Sequence, residues 1–152
     1  MRTLVLAVGT LLATIGFAAV ALADDAADKK DKEKLQGTWT AVSGEKEGKD
    51  DPEAKEHALV FEGNKFRVKK GDKVVVQGTF KIDASKSPKT MDIEISEGPE
   101  DVKGKTAQAI YALDSDELTW CVAEPGSGQR PEKLATKEGV KHMLVKLKRE
   151  KK

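Results

Sequence analysis

The chain has 152 residues, of which 35% are charged and only 5% aromatic, and its formal net charge is +1. This length allows one domain with a terminal extension. The near-neutral charge argues against nucleic acid or an anionic membrane as an obligate partner, because both select a surplus of basic side chains. The single cysteine, Cys121, excludes an intramolecular disulfide and leaves either a buried, inert thiol or a reactive or dimer-forming one.

Residues 1–23 have the pattern of a cleavable secretory signal peptide. Arg2 precedes an apolar run over residues 4–20, and Ala21-Leu22-Ala23 is an A-x-A cleavage site followed by two aspartates. The sequence therefore predicts cleavage after Ala23 and export to the periplasm or the exterior, with no stable membrane insertion afterwards. An uncleaved transmembrane anchor is the alternative, because the apolar run is nearly long enough to span a bilayer.

Two short helical turns and a charged leader are predicted around the first strand. Residues 24–30 are all Asp, Lys and Ala and are expected to be a disordered, solvated leader, or else a charged interaction arm. One helical turn is expected near residues 31–35, at the start of a domain that covers residues 31–150. A second turn is expected after the first strand, with Asp51 as its N-cap and Pro52 at its first position.

From Trp39 onward, short alternating runs are separated by tight turns, which is typical of antiparallel strands. Trp39, Ala41 and Ser43 share one face of the first strand, and Val74 and Val76 share the inward face of a later one. Eight antiparallel strands with one wet face close into an up-and-down barrel, which removes exposed edges. A two-sheet sandwich or a flattened, partly open barrel is the alternative. The predicted strands are 39–43, 58–62, 65–69, 74–83, 91–96, 105–113, 117–123 and 140–149.

The ends of this predicted barrel resemble the lipocalin (calycin) pattern. The resemblance is based on Gly37-x-Trp39 at the start of the first strand, the helical turn before it, and Arg149 at the end of the last strand. In that family the tryptophan closes one end of the barrel and a basic side chain packs over it. The resemblance therefore implies a structural closure by Gly37, Trp39 and Arg149, with Arg149 stacked on Trp39 as a cation–π pair.

Three longer segments are similar to an uncharacterised lipocalin-like domain family of exported planctomycete proteins. This resemblance covers roughly residues 31–150 and implies the all-β barrel fold and export, but no activity. The segments are Leu35-Gln36-Gly37-Thr38-Trp39, Phe61-Glu62-Gly63-Asn64-Lys65-Phe66 and Gly78-Thr79-Phe80-Lys81-Ile82-Asp83.

The predicted barrel interior is the candidate ligand site. Gly78, Ala107 and Ala109 are small residues on the same face as large apolar ones, which indicates that the interior is not completely filled. An apolar pocket of this kind suits a small hydrophobic ligand, and plain core packing is the alternative. The candidate ligand-binding residues are Phe61, Phe66, Val76, Phe80, Ile82, Met91, Ile93, Tyr111 and Met143.

Other chemistries have weak support in the sequence. His57 follows Glu53 and Glu56, but a metal site needs ligands that converge from several elements, so a solvated charged turn is favoured. Cys121 and His142 fall on neighbouring predicted strands, but no helix N-terminus lies near Cys121 to lower its pKa. No catalytic residue, cofactor or metal is therefore predicted.

The leading hypothesis is a non-enzymatic, exported, monomeric barrel that binds a small apolar molecule or a protein partner. The loop 125–139 is expected at one barrel mouth, as a lid or a partner-binding edge. A structural or protein-interaction module of the cell envelope that uses this loop is the second hypothesis, and an enzyme is the third.

Overall fold

The computed structural model of the protein describes the backbone of residues 18–151 and the side chains of residues 26–151. The predicted signal peptide, residues 1–23, lies outside the described side chains. Within the described part, the elements in chain order are α1 (Ala18–Leu35), β1 (Gly37–Lys46), β2 (Lys49–Asp50), a 3-10 helix (Pro52–Glu56), β3 (His57–Glu62), β4 (Lys65–Lys70), β5 (Lys73–Asp83), β6 (Lys89–Glu97), β7 (Thr106–Leu113), β8 (Glu117–Ala123) and β9 (His142–Arg149).

The strands form a closed antiparallel barrel. Leaving aside β2, which pairs only with the end of β1, each of eight strands pairs with the next along the chain, and β9 pairs with β1. This β1–β9 seam runs from Trp39 opposite Arg149 to Lys46 opposite Met143. The predicted eight-stranded up-and-down barrel is confirmed, and the complete ring of pairings excludes the alternative of two separate sheets.

Period-two alternation explains why these segments are strands. In β6 the side chains of Met91, Ile93 and Ile95 are buried, and Asp92 and Glu94 between them are exposed. Successive side chains of a strand point to opposite faces, so this pattern presents an apolar face to the barrel interior and a polar face to water.

Two β-bulges change which side chains point inward. The pairing of β1 with β9 slips between Ala41 and Ser43, so Ser43 lies on the outer face and not beside Trp39 as predicted. A slip in the pairing of β4 with β5 has the same effect on Val74, which is 41% exposed although the alternation predicts it inward. A bulge adds one residue to one strand, and the side chains beyond it change face.

The leader is helical, and the prediction of disorder over residues 24–30 is wrong. The helix α1 is also longer than the single turn expected near residues 31–35. The segment is rich in Ala and Lys, which favour helix, and Lys32 and Lys34 in its last turn complement the helix dipole. Asp31 and Leu35, one helical turn apart, are both buried, so one face of α1 packs on the barrel.

The hydrophobic core lies mainly in the half of the barrel next to α1, which we call the closed end. Leu35, Trp39, Met91, Tyr111 and Leu118 are each at most 1% exposed there. The opposite end, where β1 leads into the 3-10 helix and β8 leads out towards residue 125, we call the open end.

Candidate functional site

Three residues predicted to close the barrel meet at the closed end. The guanidinium of Arg149 lies 4.3 Å from the centroid of the Trp39 ring, as the resemblance implies. The Trp39 Nε1–H donates to the carbonyl oxygen of Leu35 at 2.8 Å. Gly37 has φ +114°, which disfavours any residue with a side chain, and a Cβ there would lie 3.6 Å from Arg149 Nη1.

Arg149 also caps the C-terminal end of α1. Its Nη1 donates to the carbonyl of Gln36 at 2.8 Å and its Nη2 donates to the carbonyl of Lys34. These carbonyls lie at the C-terminal end of α1, where backbone acceptors lack intrahelical partners and a cation is favourable. One side chain of the last strand therefore fastens both the first strand and the helix.

A buried polar cluster fixes α1 to the opposite side of the same end. Asp31 is 6% exposed, and its carboxylate accepts from Lys89 Nζ at 2.7 Å and from the Tyr111 hydroxyl at 2.9 Å. Burial raises the pKa of Tyr111, and its hydrogen bond to Asp31 acts in the same direction. The hydroxyl therefore stays protonated as a donor. Asp28 accepts from the backbone N–H of Ala84 at 2.6 Å.

The open end contains a cavity of about 420 Å³. Its deeper lining is apolar and comes from both sides of the barrel, and its outer rim includes a few charged side chains. The apolar lining is Ala41, Ala54, Ala58, Leu59, Phe66, Val68, Val75, Val76, Ile93, Ile95, Val102, Ala107, Trp120, Val122, Ala123, Pro125, Met143, Val145 and Leu147, and the polar lining is Lys46, Asp51, Glu53 and His57.

The predicted ligand-binding residues divide between the two ends. Phe66, Val76, Ile93 and Met143 line the cavity. The other five pack in or against the core and do not line the cavity, because α1 seals their half of the barrel and the side chains there are in mutual contact. These five are Phe61, Phe80, Ile82, Met91 and Tyr111, and the Phe61 and Phe80 rings meet edge to face with centroids 5.0 Å apart.

The small residues have different roles from one another. Ala107 lines the cavity, whereas Ala109 is fully buried in the core. Gly78 does not add space to the cavity, because a Cβ there would lie 1.9 Å from the carbonyl oxygen of Glu94. The glycine therefore permits the close approach of β5 to β6, whereas the small side chains that line the cavity include Ala107 and Ala41.

Trp120 and Val122 are cavity residues that the sequence-based set omits. Both lie on β8, where they alternate with Thr119 and Cys121, so the period-two pattern was the available signal. Lys46 is a further omission: the bulge in β1 turns it to the face of Met143, its partner in β9.

The 3-10 helix forms part of the cavity mouth. Asp51 is the N-cap residue and Pro52 begins the helix, as predicted, but the Asp51 side chain makes no cap hydrogen bond and pairs with Lys46 at 3.1 Å. The backbone N–H of Asp51 donates to Gly44 at 2.9 Å, and Ala54 packs against Gly44. The helix thus fills the gap where β3 no longer pairs with β1, since that pairing ends at Thr40.

We expect Gly44→Ala to displace the 3-10 helix. A Cβ at Gly44 would lie 2.2 Å from the Cβ of Ala54, so one backbone must move. Overpacking of this kind costs about 1–3 kcal/mol of unfolding free energy, measured by urea denaturation. Limited proteolysis should cut the variant faster within residues 49–57. Gly98→Ala is the matched control, because its Cβ meets only ordinary contacts; equal stability of the two variants would contradict the packing described.

The loop 125–139 lies along the outer wall of the barrel and not across a mouth, so its predicted position is wrong, although Pro125 itself borders the cavity. Arg130 donates to the carbonyls of Met91 and Ala109 at 3.3 and 2.8 Å and pairs with Asp92. Leu134 covers a second small apolar cluster formed by Ile110, Cys121 and Leu144. The loop therefore covers apolar side chains that the strand alternation places on the outer face of the barrel.

The remaining reactive side chains are held apart or shielded. Burial raises the pKa of the Cys121 thiol, which contacts the Ala135 carbonyl at 3.8 Å and not His142. This environment fits the predicted inert thiol. His57 Nδ1 lies 3.0 Å from the Glu53 carbonyl, and Glu56 turns away to Lys70. Over residues 26–151, no three His, Cys, Asp or Glu side chains form a metal-binding group.

Comparison with protein-family models, curated proteins and solved structures finds no match in any of the three. The resemblance to lipocalin-like domains therefore stays a prediction from the sequence. In the described part of the chain, no helix has the length and apolar character needed to cross a membrane.

Proposed function

We propose that the protein binds a small apolar molecule in the open half of the barrel and catalyses no reaction on it. The observation that carries this proposal is the uneven filling of the interior. The half next to α1 is packed, whereas the other half contains the cavity of about 420 Å³. Small-molecule sites have volumes of roughly 300–1,000 Å³, are mostly apolar and carry a few polar groups.

The chemistry of the lining supports binding over catalysis. The charged side chains Lys46 and Asp51 pair with each other at the rim, and His57 is engaged with a backbone carbonyl. These contacts offer no nucleophile activated by a base, which covalent catalysis would need. The predicted export agrees with a role in holding an apolar molecule in an aqueous compartment.

The alternative of a protein-interaction module at the loop 125–139 has less support. The loop directs Leu134 and Arg130 onto the barrel wall, so its largest apolar group and its best-placed cation are already engaged. A protein partner at its remaining polar surface stays a prediction.

We expect Ala107→Phe to abolish binding of a hydrophobic dye. The probe is N-phenyl-1-naphthylamine, whose fluorescence rises in an apolar site, titrated into the folded protein. A phenyl ring at residue 107 would project into the cavity, because Ala107 lines it opposite Ile93. We expect at least a roughly tenfold rise in Kd, since the ligand loses its buried contact area.

Ala112→Phe on the same strand is the matched control for this test. Ala112 is exposed on the outer face, so the same substitution adds the same side chain without entering the barrel. Both variants must first show the circular dichroism of a folded barrel. Absence of dye binding to the unaltered protein, or equal binding by the two variants, would reject the cavity as the binding site.

A further inference from the structure

Trp120 carries a buried donor with no acceptor. Its side chain is 9% exposed, and its Nε1–H is the single buried side-chain polar group without a hydrogen-bond partner among the described residues. Buried indole N–H groups usually find an acceptor, as the Nε1–H of Trp39 does at Leu35. An unpaired buried donor in a native protein requires an explanation, and an acceptor supplied by a bound molecule is one that the adjoining cavity allows.

The position of Trp120 is at the deep end of the cavity. Along β8, Leu118 belongs to the packed core and does not line the cavity, whereas Trp120, Val122 and Ala123 do. Trp120 is therefore the innermost cavity residue on this strand. Trp120 is the register partner of Tyr111 in β7, a core residue, and of Val145 in β9, a cavity residue. It therefore lies at the boundary between the packed interior and the cavity.

The charge distribution along the cavity restricts the partner's chemistry. The charged groups of the lining are Lys46, Asp51 and Glu53, with His57 beside them, and all lie between the last residue of β1 and the first residue of β3. The deep lining around Trp120 is apolar. An ionised group brought there would lose its hydration without gaining a counter-ion, which is strongly unfavourable.

We propose that the cavity ligand is an uncharged apolar molecule that enters with a hydrogen-bond acceptor first, a carbonyl or ether oxygen that pairs with Trp120 Nε1–H. This inference rests on the proposed function and names the class of molecule that the site takes. The donor atom has less than 1 Å² exposed, so the proposal requires the indole ring or a neighbouring side chain to move when the acceptor binds. The apolar body of the ligand then lies against the residues nearer the rim.

Three probes of similar shape test this proposal. Acetophenone carries a carbonyl, α-methylstyrene has a methylene group in its place, and benzoate has a charged carboxylate. Each is titrated in competition with N-phenyl-1-naphthylamine. Within one variant, the ratio of the Kd of α-methylstyrene to that of acetophenone cancels the effect of cavity size. We expect this ratio to fall about three- to tenfold in Trp120→Phe, because phenylalanine offers no donor.

Val122→Ala is the matched control, because it enlarges the same cavity wall and removes no donor, so its ratio should equal that of the unaltered protein. If N-phenyl-1-naphthylamine itself does not bind, the proposed function fails. If the dye binds and neither neutral probe displaces it, the acceptor proposal fails. If both neutral probes bind and the ratio is the same in Trp120→Phe, the acceptor proposal fails while binding stands. Benzoate binding as tightly as acetophenone would overturn the uncharged class.

A second measurement keeps the proposal testable if Trp120→Phe does not fold. In the unaltered protein labelled with ¹⁵N, the indole N–H resonance of Trp120 should move downfield with acetophenone and not with α-methylstyrene. The indole of Trp39, already bonded to Leu35, serves as the internal reference. Equal shifts of the Trp120 resonance with both probes would overturn the hydrogen bond.

Discussion

Replacing Trp39 with alanine is expected to lower the free energy of unfolding by about 3–5 kcal/mol, the usual cost of removing a large buried aromatic side chain. Trp39 is fully buried, and its ring separates the core from Arg149. The substitution leaves a cavity, removes the donor to Leu35 and deprives the Arg149 guanidinium of its aromatic face. Urea denaturation followed by circular dichroism measures the loss.

Val42→Ala provides the control for this prediction. Val42 lies in the same strand but is 41% exposed, so its truncation should change stability by no more than about 0.5 kcal/mol. If Trp39→Ala does not fold, Trp39→Phe retains part of the volume and should show a smaller loss. A loss below about 1 kcal/mol for Trp39→Ala would mean that the closed end does not depend on this residue.

Asp31→Ala should release α1 from the barrel and lower the free energy of unfolding by about 2–4 kcal/mol. The reason is that the substitution leaves two donors, Lys89 Nζ and the Tyr111 hydroxyl, facing a site without an acceptor. Lys89 is partly exposed and can turn towards water, but Tyr111 is fully buried and cannot. Hydrogen exchange of the amides of residues 26–35 measures the release of the helix separately from global unfolding.

Glu33→Ala is the matched control on the same helix. Glu33 is exposed, and its side chain makes none of the contacts that bind α1 to the barrel, so both stability and exchange should be nearly unchanged. Unchanged amide exchange in Asp31→Ala would show that the remaining contacts, those of Asp28, Leu35 and Arg149, hold the helix in place without Asp31.

The strand pattern predicted the barrel well because alternation is a local property. In β6 each residue's face follows from that of its neighbour, and the pattern Met91, Ile93, Ile95 is uninterrupted. Bulges break this inference, since Ser43 and Val74 lie beyond positions where the chain adds a residue and the side chains change face. The residue types near these two bulges do not indicate where the register of the strands shifts.

The candidate site was harder to predict because it depends on contacts between distant residues. The charged segment before β1 resembles a solvated leader until Asp31 is placed beside Tyr111, 80 positions further along the chain. That contact decides which half of the barrel is sealed, and hence that Phe61 and Phe80 are core while Phe66 lines the cavity. The empty volume itself is a difference between interior space and side-chain size, which alternation alone does not measure.

The seam between β1 and β9 has a consequence for biosynthesis. The first and last strands of the barrel are neighbours, and Arg149 in the last strand contacts Trp39 in the first. A nascent chain cannot complete the ring until translation of residue 149 has finished, and this pairing of high contact order is expected to form slowly. Until then β1 and β8 each keep an unpaired edge, the kind of surface that promotes aggregation. A chain cut within β9, before Arg149, would therefore be an incomplete sheet with an unpaired edge and not a smaller closed barrel.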